Sequence, residues 1–232
     1  FRYEIEAMEQ AIVPEKTRAL IINSPGNPTA QVMKRGELEE IADFANEHDL
    51  LILSDEAYEK FVYGERHISI GSLNGMEERV VTLQSFSKSF AMPGFRLGYA
   101  CGPERLIRAM AKLHVFTTIC APTLSQIAAL QALKERKATE KMVEEYDRRR
   151  RFLYRRVNEI PGLSCLEPKG AFYVFANIRG VRMSSLRFAE LLLKEAKVAV
   201  VPGTEFGRRG EGYIRLSYAT KLGRIKEAME SV

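Results

Sequence analysis

Cysteine and histidine are both scarce in this sequence. Cys101, Cys120 and Cys165 stand far apart with no CxxC pairing, which argues against a disulfide framework or a zinc site. His48, His67 and His114 are equally scattered, with no i,i+4 pairing and no neighbouring acidic cluster, so no metal ligation is expected. No stretch approaches the roughly 20 apolar residues needed to span a bilayer, and no secretory leader is visible. Asn27-Pro28-Thr29 has the spacing of a glycosylation sequon, but the central proline excludes it. There is no internal repeat and no low-complexity tract. A cytoplasmic location is the simplest reading of these absences.

The 232 residues can bury a sizeable core, as one large domain or two smaller ones. A net charge of +5 raises the question of nucleic acid. The densest basic stretch is DRRRRFLYRR (147–156), preceded by MVEEY. There Glu144–Arg148, Glu145–Arg149 and Asp147–Arg151 fall at the i,i+4 spacing of exposed helix pairs. A solvated helix face is therefore expected, not a nucleic-acid surface. The chain starts with Phe1, and FRYEIEAMEQAI reads as amphipathic helix, so the sequence is expected to be a piece of a longer polypeptide.

Short apolar runs alternate with helical patterns. RALIINS (18–24) reads as a buried strand ending in the turn-rich PGNPTA. GELEEIADFANEH (36–48) follows, with Leu38, Ile41, Ala42 and Ala45 along one helical face. LLILSD (50–55), VVTLQS (80–85) and FRLGYACG (95–102) read as further strands, the last stopped by Gly102-Pro103. This rhythm predicts a parallel α/β sheet covered by helices on both faces. Residues 103–160 are nearly all helical, with breaks at Ala121-Pro122 and near Lys137. Beyond them come short strands (GLSCLE, AFYVFANI, VAVVPG, GYIRLSYA) and two helices (SSLRFAELLLKEAK, KLGRIKEAME). The expectation is a partial large domain over 1–137, then a connecting helix and a small C-terminal α+β domain over 138–232.

Ligands of open parallel sheets sit beyond the carboxyl ends of the strands. Three strands end there in polar residues: Asn23 and then Asn27; Asp55 and then Tyr58; Ser85, Ser87 and Lys88. Lys88 lies in the apolar run SFSKSFAMPGFRLGYA, with Arg96 eight positions on, and charged side chains seldom stand in such ground without partners. This set suits pyridoxal phosphate. A lysine amine condenses with the aldehyde, a carboxylate keeps the pyridine nitrogen protonated, and hydroxyls with an arginine hold the phosphate. Each residue has a plainer explanation alone: a helix cap for Asp55, a turn for Asn27-Pro28, core packing for Tyr58, solvent for Lys88 and an unrelated acid for Arg96. Their order and shared sheet edge favour the joint reading.

The sequence resembles the fold type I, aspartate-aminotransferase-like pyridoxal-phosphate enzymes. NSPGNPTA (23–30) is similar to the NxPxNPTG motif and SDEAY (54–58) to the D-x-x-Y motif. SFSK (85–88) is similar to the Schiff-base motif and GFRLGY (94–99) to the arginine motif after it. YIRLSYA (213–219) resembles the segment that carries the α-carboxylate arginine. The resemblance implies that Lys88 binds the cofactor aldehyde, Asp55 faces the pyridine nitrogen, and Asn27 and Tyr58 contact the ring oxygen. Ser85, Ser87 and Arg96 would hold the phosphate, and Arg215 would grip the substrate α-carboxylate. A cis bond at Asn27-Pro28 and a homodimer of the full-length protein are further implications. Ala30 departs from the family's usual glycine, and the family's N-terminal part, which completes the site, is absent.

The implied reaction is transamination between an amino acid, aspartate or another common one, and a 2-oxo acid such as 2-oxoglutarate. A lyase or decarboxylase on the same scaffold is an alternative, as is a ligand-sensing domain of a transcription regulator. A generic α/β domain without cofactor is the third. The glycine-rich GTEFGRRGEG (203–212) lies outside any strand–loop–helix phosphate pattern and is expected to be a mobile loop leading into the Arg215 strand.

Overall fold

A computed structural model describes residues 2–232, which form two compact units. One comprises the chain up to Pro25 together with Val32–Thr139; the other comprises Gly26–Gln31 together with Glu140–Val232.

The first unit opens with α1 (Ile5–Ala11), β1 (Ala19–Asn23), α2 (Arg35–Glu47) and β2 (Leu51–Asp55). It continues through β3 (Val80–Ser85), the single turn α3 (Phe86–Ser89), β4 (Gly98–Cys101), α4 (Glu104–Thr117) and α5 (Thr123–Ala132). The sheet runs β1-β2-β3-β4, with β1, β2 and β3 parallel. The α2 start is fixed by Glu37, whose Oε2 accepts the Lys34 N–H at 2.9 Å. From there the expected stripe of Leu38, Ile41, Ala42 and Ala45, joined by Phe44, packs with Ile22, Ile52, Ile70 and Met76 in one core. Each such large side chain contributes about 1.5–3 kcal/mol by leaving water.

The strand expected over 95–102 departs from the parallel pattern. β4 runs antiparallel to β3, pairing Ser85 with Gly98 and Thr82 with Cys101. The reason lies in the connection. Residues 86–97 coil into α3 and one 3-10 turn (Pro93–Phe95), a compact path with no crossover helix to carry the chain back before β4. Gly98 permits the close return, since a Cβ there would meet the Gln84 carbonyl oxygen at 2.6 Å.

Behind the carboxyl end of β2 lies a buried polar cluster. Glu56 is 2% exposed. Its Oε1 accepts the Ser54 hydroxyl at 2.9 Å and the Ser69 hydroxyl at 2.7 Å, and its Oε2 meets His67 Nε2 at 2.7 Å. Ser54 and Glu56 flank Asp55, so in extended chain they face one side while Asp55 faces the other. The cluster also corrects the expectation of isolated histidines. Donor atoms of Glu56, Glu59 and His67 lie within 4.8 Å of one another, as do those of Glu9, Glu47 and His48.

The second unit contains most of α6 (Arg136–Glu159), then β5 (Ser164–Cys165), β6 (Tyr173–Asn177), α7 (Ser185–Leu191), β7 (Val201–Pro202), β8 (Tyr213–Ser217) and α8 (Leu222–Glu230). Its sheet is antiparallel in the order β5-β6-β8-β7. The helix expected over 184–197 is regular only to Leu191; Leu192–Ala196 widen into a π turn that stops at Lys197, whose φ is 57°. GTEFGRRGEG folds into two 3-10 turns, Gly203–Phe206 and Arg208–Gly210, before β8. On α6, Arg149 pairs with Glu145 at 2.8 Å and Arg151 with Asp147 at 3.1 Å, as the spacing predicts. Arg148 takes Glu145 instead of Glu144, and Arg150 is buried, 6% exposed, instead of lying on a solvated face.

Glu56→Ala is expected to destabilise the protein by about 3 kcal/mol, because His67, Ser54 and Ser69 would keep buried polar atoms without their common partner. Glu39→Ala, which removes only an exposed i,i+4 pair with Arg35, should stay within about 0.5 kcal/mol. Urea unfolding of the two variants checks the contrast; equal losses would refute the role of the cluster.

Candidate active site

Register decides what stands at the carboxyl edge of the first sheet. Parallel pairing aligns Asn23 with Asp55 and Asp55 with Leu83, so the β1, β2 and β3 ends lie side by side, about 4.8 Å apart. The backbone is tied across that edge. Asn23 Nδ2 and the Ser24 N–H both donate to the Asp55 carbonyl, at 3.1 and 3.2 Å, and the Glu56 N–H donates to the Leu83 carbonyl at 3.0 Å.

Asp55 is half-buried, and its Oδ1 accepts the Ala57 N–H at 3.1 Å, a local turn bond that leaves the carboxylate further acceptor capacity. Tyr58, in the turn that follows, is buried. Ser85 ends β3 and caps α3, its hydroxyl accepting the Ser87 N–H at 3.2 Å. One turn of helix then presents Lys88. Its neighbour Ser89 donates its hydroxyl to the Ala57 carbonyl at 3.5 Å, which sets α3 against the turn carrying Asp55 and Tyr58. Among the described residues no hydrogen bond or ion pair engages the half-buried Lys88 amine.

Arg96 stands at the same edge, two residues before Gly98, the partner of Ser85. It is exposed, its φ is 52°, and its Nη1 donates to the Pro93 carbonyl at 2.8 Å. The apolar run around it therefore does not bury it. The first unit thus gathers Asp55, Tyr58, Ser85, Ser87, Lys88 and Arg96 on one sheet edge.

Asn27 and Arg215, the remaining residues of the expected site, belong to the second unit and meet there. Arg215 Nη1 donates to Asn27 Oδ1 at 2.7 Å. Asn27 lies on the loop 26–31, which has a cis bond at Asn27-Pro28 as the resemblance implied, and a second outside that loop at Ser24-Pro25. Arg215 sits mid-strand in β8, paired with Phe175 on one side and Val201 on the other. Two rings hold the guanidinium: Tyr173 at 4.4 Å and Phe206 at 5.0 Å from their centroids. Arg215 Nε is buried and has no hydrogen-bond partner. A guanidinium close to two rings, fixed at Nη1 and unsatisfied at Nε, keeps fork donors suited to a carboxylate.

Neither ring was foreseen. Tyr173 lies in a strand buried on both faces, without the alternation that would mark one face, and Phe206 lies inside the glycine-rich segment. Glu56 carried a signal that went unread, a second acid directly after Asp55 in SDEAY.

Comparison with known proteins identifies the family. The sequence matches the family of class I and II aminotransferases over residues 1–232. It is 51% identical over 234 residues to an aspartate aminotransferase of Pyrococcus abyssi, covering 99% of this chain and 60% of that protein. It is 50% identical to aromatic-amino-acid aminotransferase 2 of Thermococcus litoralis, with the same coverage. The crystal structure of an aromatic aminotransferase from Pyrococcus horikoshii superposes with a TM-score of 0.95 at 52% identity, over 100% of this chain and 62% of that one. The chain therefore spans about 60% of the length of the curated relatives it matches. Aminotransferases of this type use pyridoxal phosphate. An unengaged amine beside a carboxylate, with hydroxyls at a helix start, is a donor set that fits an aldehyde, a pyridine nitrogen and a phosphate. With its whole length matched, the chain belongs to the class I and II aminotransferases.

Proposed function

We propose that this chain carries the lysine-bearing part of an amino-group transfer site, acting between an amino acid and a 2-oxo acid. The observation that carries the reading is the unengaged Lys88 amine, set by the Ser89–Ala57 bond against the turn that holds Asp55 and Tyr58. Pyridoxal phosphate, when bound, supplies an electrophilic aldehyde and a pyridine ring that draws electrons from the substrate α-carbon.

The residues then have separate tasks. Lys88 Nζ takes the α-proton of the amino acid and returns a proton later in the cycle, which an amine with no competing partner can do. Asp55 would keep a proton on the pyridine nitrogen by presenting a negative charge to it. Tyr58 would offer its hydroxyl to the ring oxygen. Ser85, Ser87 and Arg96 would hold the phosphate, Ser87 standing at the start of a helical turn. Arg215 grips the α-carboxylate through its fork, and Asn27 steadies its Nη1. The named relatives are an aspartate and an aromatic-amino-acid aminotransferase, which supports one of these amino acids as donor; the acceptor in this reading is a 2-oxo acid such as 2-oxoglutarate.

The reading includes a homodimer in the cytoplasm. Among the described residues no helix is long and apolar enough to cross a membrane. Support for a protein partner comes from α4, α5 and the segment between them, where Phe116 is 84%, Leu124 80% and Ile119 76% exposed, together with Leu113 and Leu130. Sedimentation equilibrium should give twice the chain mass, and a monomer at micromolar concentration would remove the dimer from the reading.

With pyridoxal phosphate added, the protein should show near-visible absorbance, and borohydride should fix the cofactor on Lys88 in a peptide map. Lys88→Ala should lose both signals together with glutamate formation in a screen of amino donors with 2-oxoglutarate. Absorbance without glutamate from any donor would mean that cofactor binding is right and transamination wrong. Arg215→Ala should raise the KM for the amino acid roughly a hundredfold, the loss of about 3 kcal/mol of charged hydrogen bonding, while the absorbance stays. An unchanged KM would exclude Arg215 as the carboxylate ligand.

A further inference from the structure

Four consecutive arginines on α6 differ in one respect. Arg148 and Arg151 have side chains 62% and 68% exposed, and Arg149, 16% exposed, lies along its own helix against Glu145 and the Tyr146 ring, whereas Arg150, 8% exposed, reaches a different segment. Its Nε donates to Asp147 Oδ1 at 2.7 Å on its own helix. Its Nη1 donates to Glu167 Oε1 at 2.8 Å and to the Pro168 carbonyl at 2.9 Å, on the segment between β5 and β6. Glu167 is held a second time by Lys169 Nζ, at 2.8 Å. Burial alone would lower the Arg150 pKa, but the hydrogen bonds to Glu167 and Asp147 outweigh it and leave the guanidinium more firmly protonated than usual.

The pinned segment leads directly to the loop that carries Asn27. The Lys169 and Gly170 N–H groups both donate to the Ala30 carbonyl, at 2.8 and 2.9 Å. The loop is closed on itself, with Gly26 N–H to the Gln31 carbonyl and Ala30 N–H to the Gly26 carbonyl, each at 2.9 Å. It therefore moves as one piece with residues 169 and 170. Asn27 then meets Arg215 Nη1 at 2.7 Å. Every step of this path lies within the second unit.

We infer that Arg150 is a positioning residue for substrate: by fixing residues 167–168 it sets the loop 26–31, and through Asn27 the orientation in which Arg215 receives a carboxylate. The inference rests on the proposed role of Arg215. A buried guanidinium that bonds a backbone carbonyl on one segment and a carboxylate beside it restrains that segment more tightly than packing would. Lysine, a point charge on a flexible stem, does not reproduce the fixed Nε and Nη1 directions that reach Asp147, Glu167 and the Pro168 carbonyl.

The test uses the protein loaded with pyridoxal phosphate and maleate as a dicarboxylate that binds without reacting, followed by calorimetry. Arg150→Met is expected to weaken maleate about tenfold and to raise the KM for both amino acid and oxo acid by a similar factor. The kcat should stay within about twofold and the cofactor absorbance should not shift. Arg150→Lys should recover part of the affinity, and Glu167→Ala should lose about threefold. A stable Arg150→Met protein with unchanged maleate affinity and KM would overturn the inference, since a merely structural arginine would lower only the melting temperature. If Arg150→Met does not fold, Glu167→Ala decides: unchanged affinity overturns the inference, a loss supports it. Arg215→Ala separates the two claims. If it weakens maleate while the Arg150 and Glu167 variants do not, only the positioning role fails. If it leaves maleate affinity unchanged, the carboxylate role of Arg215 fails, and the inference fails with it.

Discussion

Parallel pairing of β1, β2 and β3 is the constraint on which the candidate site depends. It fixes direction as well as spacing, so three carboxyl ends come to one edge and whatever follows each strand is delivered there. The register adds the finer placement. Because Asp55 aligns with Leu83, the chain of β3 runs two residues further before Ser85 turns it into α3, the turn that bears Lys88. A slip of one residue in β2 would exchange the faces of Asp55 and Glu56, turning Glu56 to the edge and Asp55 into the core.

Two buried charges hold the turns that the strands alone would leave loose. Glu56 ties the end of β2 to the segment bearing His67 and Ser69, and Arg150 ties α6 to the segment before β6. Burying an ion is unfavourable unless its hydrogen bonds are met, and a packed apolar side chain would often be as stable. What an apolar side chain cannot do is specify direction. Glu56 takes the Ser54 and Ser69 hydroxyls and His67, and Arg150 reaches Asp147, Glu167 and the Pro168 carbonyl, so each turn is held in a definite direction. Both clusters stand one step behind a residue proposed to meet ligand.

Much of this organisation was legible in the sequence, for reasons that differ by element. The α2 stripe and the break between α4 and α5 follow from periodicity and proline, which are local; the break expected near Lys137 falls instead at residues 133–135, where no proline marks it. The clustering of Asp55, Tyr58, Ser85, Ser87 and Lys88 followed from one general rule about parallel sheets. The direction of β4 was not legible, because the run FRLGYACG looks the same whichever way it pairs; the compactness of residues 86–97 decides it. Arg150 was not legible either. In DRRRRFLYRR four identical side chains share one helix, and only the position of the 167–168 segment says which of them turns inward. The meeting of Glu56 with His67 and Ser69 likewise spans a stretch with no regular pattern to count along.

Ala30 shows how a local irregularity is reconciled with its surroundings. The resemblance placed glycine there, and the backbone does need a left-handed conformation, with φ of 56°. Alanine in that region costs about 1 kcal/mol relative to glycine. Two terms oppose it. The methyl is buried at 1% exposure, worth about 0.8 kcal/mol, and alanine restricts the unfolded chain by about 0.4–1 kcal/mol more than glycine does. The balance is near neutral or slightly in favour of alanine. The conformation itself is held by what it achieves, since it aims one carbonyl at both the Lys169 and Gly170 N–H groups. A loop whose geometry is set by that doubly accepted carbonyl does not need glycine, and the residue that differs from the family pattern leaves the placement of Asn27 intact.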